Sequence, residues 1–210
     1  MIEVNYKDFI SGLKQKLKGA LPGEAAQYKL APQYRGKINI HELAGHKTGS
    51  VMLFIFPEKN TPHILFIERA NDGKVHSGQI AFPGGKHDLT DKSFMHTALR
   101  ETFEETGAEL NSTDIIGQLT PLYIPPSNFL VYPFVAFKNY KPEFIPSATE
   151  VKNIVSISVT DLIGENAVSL TEKHQTHLGE VTAPAYVIGN IKIWGATSMI
   201  LSEFLNLIVD

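Results

Sequence analysis

Apolar residues recur along the chain at two periods, and the change of period divides it into helices and strands. Phe9, Ile10, Leu13 and Leu17 stand at helical spacing and the run stops near Pro22-Gly23, which predicts a first helix over residues 6–18, packed on the outside of the main domain. Residues 50–56 and 63–69 are dense in Val, Ile, Leu and Phe and flank the polar stretch 57–62, as two central strands around a turn would. Residues 71–90 are punctuated by Gly73, Gly78, Pro83, Gly84 and Gly85, so a loop is expected there, followed by a helix over 93–106. Further strands are predicted at 117–123, 130–137, 154–158 and 185–193, with a short helix near 160–163 and a last one over 196–209. No repeat, low-complexity tract or long linker interrupts this order. The economical reading is one α/β domain over residues 41–210, preceded by a helical addition over residues 1–40.

Composition narrows the function more than the fold. A chain of 210 residues with 43% hydrophobic content can bury roughly 70% of its unfolded surface, so it needs no disulfide or structural metal to hold a core. The absence of cysteine excludes thiolate zinc sites, iron–sulfur clusters and thiol catalysis. With 19 Lys and Arg against 22 Asp and Glu, and no basic run, there is no field to collect nucleic acid, which is not expected as a partner. Charged residues Glu3, Lys7, Asp8, Lys14, Lys16 and Lys18 break up the N-terminal apolar residues, unlike a signal peptide, and no stretch approaches the roughly 20 apolar residues that span a bilayer. The cytoplasm is the expected compartment, and no membrane partner is expected.

The chemistry lies in the helix that carries Arg100, Glu101, Glu104, Glu105 and Gly107. At 100° per residue, Met95, Ala98, Leu99, Thr102 and Thr106 fall on one side, and Glu101, Glu104 and Glu105 fall within an arc of about 100° on another. Like charges at these spacings destabilise an isolated helix by about 0.2–0.5 kcal/mol per pair, so the cluster does not serve the helix. Either it is a solvated acidic face, or a cation sits among the carboxylates. All-oxygen ligands match hard divalent ions, and Mg²⁺ keeps positions open for water and phosphate. The context favours the cation: Arg100 is one turn before Glu104 and can fix it, Gly107 stands where a helix end needs positive φ, and Gly84-Gly85 let backbone approach a ligand closely.

These residues resemble the signature of the Nudix hydrolases, G-x5-E-x7-R-E-U-x-E-E-x-G-U with U aliphatic, over residues 85–108. The match holds at Arg100, Glu101, Glu104, Glu105 and Gly107. Gly85 lies one residue further from Arg100 than the pattern has it, Lys92 occupies the first Glu position with Asp91 beside it, and Thr102 replaces an aliphatic residue. An early glycine pair followed by an Asp six residues after the second glycine is similar to the coenzyme A pyrophosphatase branch. That branch carries an upstream motif, L-L-T-x-R-[SA]-x3-R-x3-G-x3-F-P-G-G, which here runs Leu65-Phe66-Ile67-Glu68-Arg69-Ala70, then Lys74, Gly78 and Phe82-Pro83-Gly84-Gly85. Phe66-Ile67 replaces Leu-Thr and Lys74 replaces the second Arg. The segments 76–82 and 193–197 also look like this branch, so the resemblance extends from about residue 50 to the C-terminus.

The resemblance implies an α/β/α sandwich around a mixed sheet and a metal-dependent hydrolase of a nucleoside diphosphate linked to another moiety. The implied substrate is CoA or acyl-CoA, cleaved to 3',5'-ADP and 4'-phosphopantetheine, by a monomer or homodimer. Glu101, Glu104 and Glu105 would bind Mg²⁺ or Mn²⁺ with Arg100 orienting them, and Gly84, Gly85, Arg69 and Lys74 would meet the substrate, the two cations at the 3'-phosphate. The general base is one of the clustered glutamates or Glu150, which as a lone loop residue can equally be a solvated surface group. His76 and His87 flank the glycine turn and are expected to bond loop carbonyls; Phe94 and Phe103 are expected to pack against neighbours, and Trp194 to lie in a core or interface. A different substrate such as ADP-ribose or NADH, or a noncatalytic nucleotide-binding module of the same fold, are the competing readings. Three retained carboxylates favour an enzyme.

Overall fold

Two long strands dominate a computed structural model that describes residues 5–32, 44–71, 77–165, 167–176 and 179–209, apart from the side chains of Leu170, Gln175 and Thr176. Strand β1 (Lys47–Glu58) turns into β2 (Thr61–Arg69) through Lys59 and Asn60 alone, both at positive φ, the two-residue geometry that matches the twist of a hairpin. Met52, Leu53, Phe54, Ile55 and Phe56 are all fully buried, so β1 is covered on both faces.

The two strands pair only near their turn and then separate. Into the opening comes the expected loop, which forms β3 (Ile80–Ala81) against β2 and β4 (Gly84–Lys86) against β1. Next to β1 on the other side runs β7 (Phe129–Phe137), parallel to it, flanked by β5 (Ile115–Gln118) and β6 (Leu122–Ile124); β8 (Val151–Ser158) closes the far edge on β2. The sheet is therefore mixed. The single strand predicted at 117–123 is two, because Pro121 offers no N–H to a ladder and the Thr120 N–H turns to Glu203 instead.

Helix α3 (Phe94–Thr106) covers one face, packing Ala98 over Met52, Phe54, Phe56, Leu65 and Phe134. The other face carries α1 (Tyr6–Lys16), α2 (Gly23–Gln27), α4 (Val159–Leu162), α5 (Gly195–Val209) and a second sheet of β9 (Val168–Thr176), β10 (Gly179–Ile188) and β11 (Ile191–Trp194). This is the expected α/β/α sandwich with a sheet added. The strand predicted over 185–193 is the β10–β11 hairpin, which reverses at Gly189-Asn190 with Gly189 at positive φ, and β9 and α2 went unpredicted.

The N-terminal segment is joined to the core by more than its apolar stripe. Tyr6, Ile10, Leu13 and Leu30 belong to the same buried cluster as Leu53, Ile55 and Phe204. The Tyr6 hydroxyl donates to the carbonyls of Ile55 and Lys138, and burial pushes its pKa upward. On α5, Glu203 is fully buried and accepts from the Gly23 N–H (3.2 Å), Gln27 Nε2 (2.8 Å), the Thr120 N–H (3.2 Å) and Thr120 Oγ1 (2.6 Å). One carboxylate thus ties α2 and the break between β5 and β6 to α5. Among the described residues, no helix is long and apolar enough to cross a membrane.

Candidate active site

Ser93 opens α3 by accepting the His96 N–H on its side chain (3.1 Å), and Gly107 closes it in the left-handed conformation, at φ 69°, as the sequence predicted. Thr102, which stands where the signature has an aliphatic residue, and Thr106 both lie fully buried. Each hydroxyl donates to the carbonyl four residues earlier at 2.6 Å, so the polar group is satisfied inside the helix.

The three glutamates lie in three different environments. Glu104 is half exposed and its Oε2 accepts from Arg100 Nη1 at 3.1 Å. Glu101 accepts from the same nitrogen at 2.8 Å; its pKa is raised by burial, with Arg100 opposing. Glu105 lies seven residues from Ala98, about 20° away around the helix, and so falls at the margin of the packed face. It is 1% exposed. Its Oε2 accepts the Gly84 N–H at 2.8 Å, and its Oε1 stands 3.6 Å from Arg69 Nη1. Burial pushes Glu105 up to about 7 against the pull of Gly84 and Arg69, and the charges of Glu101 and Glu150 add to the rise.

Arg100 is held by Asp91. Its Nε and Nη2 each donate to one Asp91 oxygen at 2.9 Å, a two-point pairing that also receives Thr97 Oγ1 and His96 Nδ1. The guanidinium keeps the buried Asp91 carboxyl well below the usual carboxylate range, despite the opposing effect of burial. Asp91 therefore anchors Arg100 although Lys92 occupies the signature's Glu position.

The glycine turn is built for contact. Gly84 has φ 154°, and a Cβ there would strike the Ser50 carbonyl and the Val51 backbone; a Cβ on Gly85 would fall on the Glu101 carboxylate. At the end of β2 the Arg69 side chain points to the α3 side, like Leu65 four residues earlier. A bulge in β8 opposite Glu68 and Arg69 bends the incoming strand so that the Glu150 carbonyl accepts the Ala70 N–H at 2.9 Å. The exposed Glu150 side chain is then near enough for its charge to act on both Glu101 and Glu105. Arg69, Gly84, Gly85, Arg100, Glu101, Glu104 and Glu105 are thus joined by direct contacts along one side of α3, with the Glu150 backbone bonded next to Arg69. Lys74 and His76 lie outside the described residues.

Two expectations about aromatic and imidazole groups, those for His87 and Phe103, need revision. His87 Nδ1 meets Thr97 Oγ1 at 2.8 Å, not a loop carbonyl, because the turn brings its ring over α3. Phe94 does pack, stacked on Tyr132 with centroids 4.0 Å apart, but Phe103 points outward and is 51% exposed. Trp194 is half-buried and stacks on His174 of the second sheet.

The Nudix domain family matches residues 46–178, which includes every element of this site. The chain belongs to the Nudix hydrolase family. Its relatives include the mitochondrial coenzyme A diphosphatase NUDT8 of Mus musculus, 33% identical over 71% of this chain and 72% of that protein, and its Homo sapiens counterpart, 27% identical over 77% and 69%. The uncharacterized Nudix hydrolase NudL of Pectobacterium atrosepticum is 31% identical over 68% and 73%. A solved MutT/nudix family protein from Enterococcus faecalis shares the fold at TM-score 0.57 and 18% identity, over 100% of this chain and 76% of that one.

Nudix hydrolases in general use divalent metals, and the donor set here is chemically suited to one: carboxylate oxygens, no thiol, and a glycine that leaves room against Glu101. In the geometry described, two arginines take the cation's part, Arg100 on Glu101 and Glu104 and Arg69 on Glu105. Among the described residues no three acidic or imidazole side chains stand together as a metal cage, so the glutamates that converge by helical position do not converge at their tips.

Proposed function

We propose that this Nudix hydrolase is a metal-dependent coenzyme A diphosphatase that cleaves the diphosphate of CoA or acyl-CoA to 3',5'-ADP and 4'-phosphopantetheine or its acyl derivative. The observation that carries the reading is the 3.6 Å approach of Arg69, from the upstream motif, to Glu105, from the α3 signature. Two motifs separated in sequence act at one place, and relatives named coenzyme A diphosphatases support the choice of substrate.

In this reading Glu101, Glu104 and Glu105 hold Mg²⁺ or Mn²⁺, and Arg100, fixed by Asp91, orients Glu101 and Glu104. A divalent ion when bound supplies charge neutralisation for the diphosphate and acidifies the attacking water. Gly84 and Gly85 let the turn pack directly against β1 and the Glu101 carboxylate, which sets the turn beside the substrate, and Arg69 and Lys74 supply positive charge to it. Glu150, exposed beside Glu101 and Glu105, takes the proton of the attacking water; one of the clustered glutamates is the other group placed for that step. The water oxygen bonds to phosphorus, the anhydride P–O bond breaks, and the leaving phosphate departs as an anion.

A screen of CoA, NADH, ADP-ribose and dinucleoside polyphosphates with Mg²⁺ and with Mn²⁺ tests this. Cleavage of CoA to the two named products is expected. Brisk cleavage of ADP-ribose or NADH with none of CoA would assign the enzyme another substrate.

A further inference from the structure

We infer that Arg69 grips the diphosphate at the reacting centre and does not read the 3'-phosphate that distinguishes CoA from dephospho-CoA. The inference rests on the proposed reading of the α3 carboxylates as the diphosphate site.

Three backbone hydrogen bonds fix where Arg69 starts. Its N–H donates to the Gln79 carbonyl (3.0 Å), its carbonyl accepts the Gly78 N–H (3.1 Å), and the next residue, Ala70, donates to the Glu150 carbonyl (2.9 Å). The root of the side chain is therefore clamped between the 78–79 turn and the 147–150 loop, facing α3. From there the guanidinium reaches a carboxylate that is almost wholly buried while remaining 39% exposed itself, so it stands at the boundary between Glu105 and solvent.

Charge decides what it does there. Arg100 is committed to Asp91, Glu101 and Glu104. Among the described residues, Arg69 has one ion pair, at 3.6 Å with Glu105, beyond good hydrogen-bond length, which the oxygens of a diphosphate carrying two negative charges in all can outcompete. A diphosphate entering beside Glu101, Glu105 and Glu150 meets three negative groups, and among the described residues Arg69 is the guanidinium not already committed elsewhere that can bridge them to it. The planar fork suits two phosphate oxygens at once. The 3'-phosphate of CoA is carried on the ribose, away from the anhydride, so a guanidinium engaged with Glu105 and the diphosphate does not also serve it.

The test compares wild type, Arg69→Ala and Arg69→Lys on CoA and dephospho-CoA, with ADP affinity measured by calorimetry in Mg²⁺. Arg69→Ala is expected to lose about tenfold or more in kcat/KM on both substrates, leaving their ratio within about twofold of wild type, and to bind ADP more weakly. Arg69→Lys should fall between, since it keeps the charge but not the fork. A loss confined to CoA, with dephospho-CoA unchanged, would overturn the inference and return Arg69 to the 3'-phosphate; so would unchanged rates on both. If wild type cleaves neither compound but does cleave ADP-ribose, the proposed substrate fails separately, and the same loss or constancy on ADP-ribose decides the role of Arg69. ADP affinity decides it for a preparation without turnover, with unchanged affinity in Arg69→Ala contradicting the inference. Arg69→Lys keeps the comparison available should Arg69→Ala fold poorly.

Discussion

Two buried glutamates on two helices show how this fold separates structure from chemistry. Glu203 on α5 and Glu105 on α3 are both almost fully excluded from water. Around Glu203 stand four donors, and they come from parts of the chain far apart in sequence. Around the Glu105 carboxylate, among the described residues, there is one hydrogen bond, from Gly84, and one loose ion pair. A buried carboxylate with its lone pairs filled holds elements together; one left short of donors is costly to keep ionised and is ready for a cation. The contrast implies that losing Glu203 harms the fold and spares the chemistry, and that losing Glu105 does the reverse.

The largest effect is expected at α3. Glu104→Gln and Glu105→Gln should each cut turnover by about a hundredfold or more at saturating Mg²⁺, measured by initial rates, with the fold intact by circular dichroism. Near-normal turnover in both would remove α3 from the reaction.

Next in size is Glu203→Ala, which leaves Gln27 and the two donors of Thr120 facing a void. At about 1–3 kcal/mol for each unsatisfied buried group, partly relieved by water, a net loss of about 3 kcal/mol is expected, or about 6–12 °C in Tm for a chain of this size. Calorimetric melting checks it. A change under about 2 °C would mean that the N-terminal segment is held by its apolar contacts alone.

Arg100→Ala should lower kcat by roughly tenfold while metal binding persists, since the guanidinium orients ligands and cannot be one. Mn²⁺ titration separates the outcomes: abolished binding with an intact fold would show that Arg100 does more than orient.

Much of this was legible in the sequence, and what was not has physical causes. The α3 cluster could be placed because helical period fixes where Cβ atoms point, and its glycine turn because Gly84 and Gly85 have no substitute there. Side-chain direction was not fixed by period: Glu101, Glu104 and Glu105 share an arc, but Arg100 gathers Glu101 and Glu104 on one nitrogen while Glu105 turns to Arg69 and Gly84. The buried Glu203 gave no signal, since a Glu among Ser202, Phe204 and Leu205 reveals its partners only when Gln27 and Thr120 arrive from elsewhere. Strand β9 was missed because its Glu172, Lys173 and His174 break the apolar pattern that marks a strand, and the ladder with β10 supplies what pattern does not.

The smallest effect is on pH dependence, and its sign follows from Glu105. Its pKa rises on folding from the ordinary value, about 4.3, to about 7. The folded protein then binds a proton that the unfolded chain has lost, so metal-free stability should fall as pH rises through that window. Glu105→Gln should flatten this slope between about pH 5 and 7. A slope of the opposite sign, or one unchanged by Glu105→Gln, would show that Glu105 ionises without penalty.

The most direct measurement is a calorimetric Mn²⁺ titration at pH 8 of wild type, Glu105→Gln and Glu203→Gln, each confirmed folded. Glu105→Gln should lose about tenfold or more in Mn²⁺ affinity, and Glu203→Gln should bind as wild type does even though it melts earlier. Equal affinity in all three, or a loss confined to Glu203→Gln, would contradict the assignment of the under-coordinated glutamate to the metal.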